Sequence, residues 1–215
     1  MPKLVLGVVP LVLTTTLAAA EPNGYVQAGG LVTRQPAGTP NHRISPALGG
    51  TAVGVTAAVG VFVTPTLAVE GEVVGGRAIS TPQRFSYNWS EDFTGQSRDV
   101  FLGANLRWRP VAFLELIVGG GTAFSTVAER CVLRTDRYPF PPTSRTSPQP
   151  DRVETFRHLA LDGGVAVPLP VSRRIDVVPA FSIRWVDRSD EGLGDYLGVA
   201  SYAYQFGATV RFSLH

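Results

Sequence analysis

The sequence has very little cysteine, lysine and histidine. One cysteine in 215 residues excludes an internal disulfide framework and a cysteine-rich metal site. Lys3 is the sole lysine, so arginine carries nearly all of the positive charge, a usage that we attribute to base composition rather than to a binding patch. Charged residues make up 17% of the chain and the net charge is +2. This charge balance gives no reason to expect a nucleic-acid partner.

Long hydrophobic runs are also absent. No interior segment holds the roughly 18 unbroken apolar residues that a membrane-spanning helix needs, which excludes a polytopic helical membrane protein. A hydrophobic content of 44% and a mean hydropathy of +0.12 argue against disorder. Glycine and proline are frequent, with 23 and 17 residues, but show no collagen-like period. The chain is long enough for one ordinary domain or one small membrane domain.

The first 20 residues have the order of features found in a secretory signal peptide. Lys3 precedes a short apolar run that a proline interrupts, and three alanines end the segment at Ala20. We therefore expect cleavage after Ala20 and export of the mature chain. The expected division is a signal peptide over residues 1–20 and one domain over residues 21–215.

Beyond the signal peptide, apolar residues recur with a period of two, which is the period of a β-strand. From Tyr204 to Leu214, for example, apolar and aromatic residues alternate with polar and small ones. Eight segments show this pattern: Gly24–Arg34, Leu48–Val63, Leu67–Arg77, Arg98–Trp108, Val111–Val127, Val153–Val167, Ile175–Val186 and Leu197–Leu214. Most of them approach or exceed the roughly 9–11 residues with which a tilted strand crosses a bilayer.

The connections between the eight segments alternate in length. The long ones lie near residues 35–47, 78–97, 128–152 and 187–196, and the short ones at 64–66, 109–110 and 168–174. Outer-membrane barrels have this alternation, with short periplasmic turns and longer external loops. We therefore predict an all-β, eight-stranded antiparallel up-and-down transmembrane β-barrel with both termini on the periplasmic side.

One face of the predicted strands is nearly free of charge, and the other carries small residues and most mid-strand charges. We expect the apolar face to contact lipid, whereas a soluble lipocalin-like barrel would turn it inward. Eight strands leave an interior just wide enough for side chains, which favours an ion-paired plug over an open channel. The predicted lumen charge network comprises Glu70, Glu72, Asp99, Arg107, Glu115, Asp162, Asp176, Arg184 and Arg211.

Aromatic residues near the strand ends predict girdles at the two membrane interfaces. The expected interface aromatics are Tyr25, Trp108 and Phe212 near the periplasmic rim, and Trp185 and Tyr202 near the outer rim. Two residues on the apolar face need a separate explanation. Arg157 lies near the outer end of its strand, where a long side chain can reach the interface. Pro179 on this face indicates either a bulge at that point or a different register of the strand.

With its signal peptide, eight alternating segments and terminal strand, the chain resembles the small bacterial outer-membrane β-barrels of the OmpA/OmpX type. The resemblance covers residues 24–215 and includes the segment Val118-Gly119-Gly120-Gly121. In that family the last strand carries an assembly signal that ends in an aromatic residue, whereas this chain ends in His215, a departure that concerns assembly more than the fold. The resemblance implies a monomer in the bacterial outer membrane, surrounded by its lipid and inserted by the barrel-assembly machinery.

The family includes a few enzymes, such as lipid A deacylases and palmitoyltransferases. Of the three histidines, His42 lies in the first external loop, His215 is terminal and His158 is expected in the lumen. Asp162 is two pleat repeats from His158, about 13–14 Å away, which is too far for direct pairing, although Ser182 on a nearby strand could approach His158. Because the His-x-Ser-Asn pattern of the deacylases is absent, we expect no catalytic residues.

Acidic residues crowd the last external loop, at Asp187, Asp190, Glu191 and Asp195, without the spacing of an EF-hand. We interpret them as a solvated loop and expect no metal or cofactor site. The predicted function is a structural or surface-interaction role of the external loops. The alternatives are a narrow channel for small solutes and a lipid-modifying enzyme that uses His158.

Overall fold

β-strands dominate the computed structural model, which describes residues 24–39, 47–86, 89–136, 151–188, 192 and 197–214. They form because β-branched and aromatic side chains alternate with small ones. No helix in these ranges is long and apolar enough to cross a membrane. The strands are β1 (Gly24–Gln35), β2 (Gly50–Thr64), β3 (Leu67–Gly76), β4 (Ile79–Ser86), β5 (Trp89–Val111), β6 (Leu114–Asp136), β7 (Arg152–Ala166), β8 (Leu169–Pro170), β9 (Ile175–Val186) and β10 (Tyr202–Leu214).

The strands form one closed antiparallel ring. Neighbours follow the order β10, β1, β2, β3, β5, β6, β7, β9, and β9 pairs with β10 to close the ring. β4 continues β3 along β5, and β8 continues β7 along β9, so the ring has eight positions. β1 and β10 pair without interruption from Gly24 with Leu214 to Arg34 with Tyr204. The predicted eight-stranded antiparallel barrel is confirmed.

The short turns lie at the same end of the barrel as the first and last described residues, Gly24 and Leu214. Residues 65–66, 112–113 and 171–174 connect consecutive strands there. We call this the periplasmic end and the opposite end the outer end, because short turns are periplasmic in barrels of this type.

The described residues of two predicted external loops are mostly strand. The predicted loops at 78–97 and 128–152 are wrong to that extent, because β4 and the outer parts of β5 and β6 pair with one another as a sheet. The lipid-facing part of β5 alternates strictly between outward apolar residues and inward residues, from Val100 to Trp108. Farther out on β5 the outward positions are polar, as at Thr94 and Gln96, so the apolar alternation that identifies a membrane strand is lost there.

The turn between β5 and β6 lies at residues 112–113 rather than at Arg109-Pro110. The register shifts between Trp108 and Val111, so Pro110 lies at an irregular point of the ladder near the end of β5. Proline is tolerated at such a point because no regular ladder hydrogen bond is required of its nitrogen.

Pro179 lies within β9, opposite the break between β7 and β8. Val167 donates its backbone N–H to the Pro179 carbonyl at 2.9 Å, beyond the last residue of β7 and before the first of β8. The N–H and C=O of a strand residue point toward the same neighbouring strand, so the missing N–H of Pro179 falls at this break. The bulge predicted at Pro179 is wrong, because β9 pairs with β10 without a register shift from Trp185 to Ile175, and Pro179 keeps the outward position that the alternation gives it.

The outward side chains between the two rims are apolar. Val55, Leu102 and Phe206 are each more than half exposed, at 67%, 55% and 55%. Similar residues continue around the ring, and Arg157 is exposed at the outer end of its row. A continuous apolar belt on the outside of a closed barrel is a lipid-contacting surface.

Inward side chains fill the described part of the barrel in layers. The middle layer is apolar and packs against Leu31, with Val74, Phe101, Ala123, Ala160 and Val186 at its centre. A second apolar cluster lies at the outer end and consists of Leu48, Ile79, Phe93, Val127 and Leu197. Charged groups occupy the space between and below these clusters.

Two segments between β1 and β2 pair with a third, before β10, across the outer end. Leu48 donates its N–H to the Leu197 carbonyl at 3.0 Å, and Gly38 donates to the Gly198 carbonyl at 2.9 Å. The side chains of Leu48 and Leu197 are fully buried in the outer cluster. We call these paired segments, residues 36–39, 47–49 and 197–201, the outer cap.

Candidate functional site

Buried polar side chains line the lumen from the periplasmic end to the outer end. Strand alternation directs them inward, as on β3, where Glu70 and Glu72 alternate with outward Val69 and Val73. Buried charges are tolerated when they are paired and hydrogen-bonded. The buried members of the predicted network are Glu70, Arg107, Glu115, Asp162, Arg184 and Arg211.

Glu115 accepts hydrogen bonds from three arginines at the periplasmic end. Arg211 approaches with both terminal nitrogens, Nη1 at 2.7 Å from Oε1 and Nη2 at 2.8 Å from Oε2. Arg107 Nη1 lies 3.2 Å from Oε2, and Arg109 Nη2 lies 2.5 Å from Oε1. The two-pronged Arg211 contact is the strong, directional form of this interaction.

Glu70 is the second carboxylate of the periplasmic group. Its Oε2 accepts hydrogen bonds from the Tyr25 hydroxyl at 3.0 Å and the Gln27 amide at 2.7 Å. Arg107 Nε lies 2.9 Å from the same oxygen, so Arg107 connects Glu70 with Glu115. The group holds one more guanidinium than carboxylate, and Gln27 connects its parts, because its amide donates to Glu70 and its Oε1 accepts from Arg211 Nε at 3.3 Å.

The prediction that Tyr25 lies at the lipid interface is wrong. Tyr25 points inward from β1 and is fully buried, and its ring centre lies 4.6 Å from the Arg211 guanidinium carbon. The ring also covers Gly60 of β2, where any Cβ atom would overlap it. Glycine at position 60 therefore lets the ring lie against the barrel wall, with the hydroxyl directed at Glu70.

The other four predicted interface aromatics point outward. Trp108 and Phe212 lie at the periplasmic end, and Trp185 and Tyr202 at the outer end, each between 40% and 46% exposed. Trp185 and Tyr202 are direct partners across β9 and β10. Their exposed rings are available to the interface at the two rims.

Arg184 is the centre of a second ion-paired group. It donates hydrogen bonds to Asp162 through Nε, at 3.1 Å, and through Nη2, and Nη2 lies 3.6 Å from Glu72 Oε2. Its guanidinium carbon lies 3.8 Å from the centre of the Phe101 ring, which is a cation–π contact. Asn105 Nδ2 contacts one carboxylate of this group and one of the periplasmic group, so it connects the two.

Arg188 is the centre of a third group, beneath the outer cap. Its Nη2 lies 2.6 Å from Asp99 Oδ2, and its Nη1 lies 3.3 Å from the Ser125 hydroxyl. Its Nε donates to the carbonyl of Ala200 at 3.1 Å. Arg188 therefore attaches the outer cap to the inner walls of β5 and β6.

The members of these groups that sequence reasoning missed are Gln27, Asn105, Arg109 and Arg188. Gln27 and Asn105 carry no charge, so a search for charged inward residues passes over them. Arg109 was assigned to a turn and Arg188 to the last external loop. Continuing the alternation of β9 past Val186 places Arg188 on the inward face, and that signal could have found it.

Asp176 lies on the inward side of β9 but outside the three groups. It is half-buried, and in the described part of the chain no hydrogen bond or ion pair joins it. Its backbone is paired with that of Arg211, whose guanidinium is bound to Glu115 instead. The other eight residues of the predicted network each belong to one of the three groups.

Two small cavities lie on either side of the Arg184 layer. Each has a volume of about 60 Å³. Asp99 and Arg188 contribute to the outer one, and Glu72 and Asn105 to the inner one. A polar cavity needs roughly 10–15 Å³ for each water molecule, so each has room for a few.

The structure does not bring together His158 and Ser182, the residues considered for the lipid-modifying alternative. Ser182 is in register with Gly164 of β7, six positions along that strand from His158, or about 20 Å at the rise of a strand. His158 stacks instead on Phe156, with ring centres 5.7 Å apart.

Several sequence predictions fall outside the described residues. They concern the signal peptide at 1–20, His42, His215 and the loop acids Asp190, Glu191 and Asp195. Within the described ranges, no three side chains of the His, Cys, Asp or Glu type are grouped so that they could hold a metal ion.

Comparison with solved structures shows the fold of the small outer-membrane β-barrels. OprG from Pseudomonas aeruginosa matches with a TM-score of 0.54 and 10% identity, over 88% of this chain and 96% of that protein. Ail, the attachment invasion locus protein of Yersinia pestis, matches with a TM-score of 0.51 and 12% identity, over 89% and 99%. No protein-family model and no curated protein matches the chain. The shared fold and the apolar outer belt make this chain an integral outer-membrane barrel.

Proposed function

We propose that the barrel has a structural and surface-contact role, without conduction or catalysis. The observation that supports this role is the filled lumen. The ion-paired group around Glu115 occupies the periplasmic part of the lumen, and the group around Arg184 occupies the middle part. The apolar cluster beneath the outer cap occupies the outer part. Charges that are held by several partners serve to fill and stabilise the interior.

The outer end supports a contact role. β4 and the outer parts of β5 and β6 form a paired sheet, and the outer cap packs on its inner side through Leu48 and Leu197. A preformed surface loses less conformational entropy on binding than a flexible loop does. Ail, which has the same fold, is described as an attachment invasion locus protein, and a surface role of that kind fits this outer end.

A narrow channel is the second candidate, and the two interior cavities favour it. They lie on either side of Arg184, which contacts the outer one directly. Leu31 and Gln205 line both cavities, and displacement of Arg184 would extend the outer one toward the inner one. Conduction would then depend on the contacts of Arg184 with Asp162 and Glu72.

Planar-bilayer recordings of refolded protein test the two candidates. The structural role predicts no stepwise current from the wild type, because side chains fill the path. The channel candidate predicts current steps that Arg184→Ala enlarges and that Arg157→Ala, on the lipid side, leaves unchanged. Steps from the wild type itself would contradict the structural role and support the channel.

The absence of catalysis has a separate test. Refolded protein incubated with lipid A is expected to leave the lipid mass unchanged. A mass change that disappears in His158→Ala would contradict the proposal and support the lipid-modifying alternative.

A further inference from the structure

An open groove of about 370 Å³ lies on the lipid-facing wall, where β2, β3 and β5 are adjacent. It is separate from the lumen groups and from the outer cap. Its wall and floor include Val53 and Val55 of β2, Gly75 and Gly76 of β3, and Arg77 and Arg98 toward the outer end.

The groove exists because a side chain is missing where the sheet is irregular. β3 pairs with β5 as far as Val74, and β4 resumes the pairing with β5 at Ile79. Between these two points the segment from β3 to β4 has one more residue than β5 has, as in a bulge. Gly75 lies within this interval. A Cβ atom on Gly75 would meet only Val100, at 3.9 Å, so the place of its side chain in the apolar wall is open.

Arg77 and Arg98 lie at the height of the outer lipid headgroups. Arg77 is ten residues from Leu67 at the periplasmic end of β3, and Arg98 is ten residues from Trp108 on β5. At about 3.3 Å per residue and a tilt of about 40°, ten residues rise about 25 Å, which is the height of the apolar band. Both guanidiniums are therefore placed where hydrocarbon gives way to lipid phosphate.

The two guanidiniums are available to an anion. Both side chains are exposed, neither has an ion-pair or hydrogen-bond partner in the described part of the chain, and no described acidic residue lines the groove. Arg34 and Arg157 are also exposed at the outer ends of their rows. Arginine presents paired N–H groups that match the oxygens of a phosphate.

We propose that this groove binds a phosphorylated lipid of the surrounding leaflet. Arg77 and Arg98 hold the phosphate, and an acyl chain lies over Gly75 between Val55 and Val100. A membrane lipid supplies an anionic group at this height together with hydrocarbon directly below it, which inorganic phosphate does not. The site is independent of whether the barrel conducts.

Native mass spectrometry of the refolded protein in detergent tests the phosphate contact. The probes are phosphatidic acid and a diacylglycerol with the same acyl chains. We expect one retained phosphatidic acid and no retained diacylglycerol. The double variant Arg77→Gln/Arg98→Gln should bind about thirtyfold more weakly, equivalent to about 1 kcal/mol for each arginine at an anionic surface. Arg34→Gln/Arg157→Gln removes the same charge elsewhere on the rim and should bind like the wild type.

A second pair of variants tests the acyl-chain contact. Gly75→Leu fills the groove, whereas Gly71→Leu places the same side chain on the same strand, where nothing lies within 4 Å of the added Cβ. We expect Gly75→Leu to lose the lipid and Gly71→Leu to retain it. Heat-modifiable migration in gels shows which variants are folded. If Gly75→Leu does not fold, the arginine variants decide the question.

Several outcomes would overturn the proposal. Equal weakening by the two arginine pairs would mean general attraction to a positive rim. Equal retention of diacylglycerol would mean that the phosphate is not recognised, and displacement of the lipid by millimolar inorganic phosphate would mean that its acyl chain contributes nothing. A dimer that Gly75→Leu disrupts would assign the groove to a second copy of the chain.

Discussion

At the scale of single residues, Glu115 combines burial in the lumen with hydrogen bonds from three arginines. Its carboxylate contacts the guanidiniums of Arg107, Arg109 and Arg211, and it is almost completely buried. Three positive groups come together within a barrel that lipid surrounds, so the low dielectric strengthens each contact and also raises the cost of losing one.

Glu115→Gln is expected to lower the free energy of unfolding by about 3–5 kcal/mol, the cost of leaving a buried charge without its partner. Urea unfolding in lipid vesicles, followed by tryptophan fluorescence, measures this change. Asp176→Asn is the matched control, an inward acid at the same end without an ion pair among the described residues, and should change stability by less than about 1 kcal/mol. Equal effects of the two substitutions would contradict the central place of Glu115.

Sequence alone predicts which charged residues face inward, but not how they pair. Glu70 and Arg211 follow from alternation, because a mid-strand charge is too costly against lipid. Tyr25 does not follow, because a tyrosine suits a membrane interface as well as a buried site with a hydrogen-bond partner. Its position depends on Gly60 and Glu70, which other strands supply, and therefore on a register that the sequence does not give.

At the scale of elements, the membrane parts of the strands were predictable and their outer extensions were not. The lipid-facing half of β5 has strict alternation because hydrocarbon lies on one side of it. Its outer half, near residues 93–97, lies beyond that constraint and was assigned to a loop. The outer cap was also missed, because it depends on contacts between segments about 150 residues apart, such as Leu48 with Leu197.

Arg188→Ala is expected to loosen the outer cap without unfolding the barrel. The substitution removes the contact with Asp99 and the hydrogen bond to Ala200, at a cost of about 2 kcal/mol for hydrogen bonds of a charged group. Hydrogen exchange at the amides of Gly38 and Leu48 measures the change, and about thirtyfold faster exchange is expected. Arg130→Ala, an exposed arginine of the outer sheet, should leave both amides unaffected. Unchanged exchange in Arg188→Ala would mean that the cap does not depend on Arg188.

At the scale of the whole molecule, the topology was predictable from the order of long and short connections together with the apolar face. Contact with hydrocarbon requires apolar residues at the outward positions of each strand, and this pattern can be read from one strand without knowing its neighbours. The register between strands and the break opposite Pro179 are set by backbone pairing across the sheet. For this reason the barrel follows from the sequence more readily than the contents of its lumen.

The lipid-facing belt gives a depth-dependent prediction. Leu102→Arg, near mid-membrane on β5, is expected to lower the free energy of unfolding in bilayers by about 2–4 kcal/mol. Val63→Arg, at the periplasmic rim, should cost about 0–1 kcal/mol, and Leu102→Ala provides the control for lost side-chain volume. Urea titration in vesicles measures all three. Equal costs at the two depths would mean that Leu102 does not face hydrocarbon.

The pairing of β1 with β10 closes the barrel, so the closed barrel requires the last part of the described chain. Arg211 reaches Gln27 across 184 residues and Glu115 across 96, so both wait for the C-terminal strand to be made. A chain without β10 would present lipid with two unpaired backbone edges, which hydrocarbon cannot hydrogen-bond, and Glu115 would lack one of its three arginine partners. The barrel can therefore close in its membrane only once β10 is present.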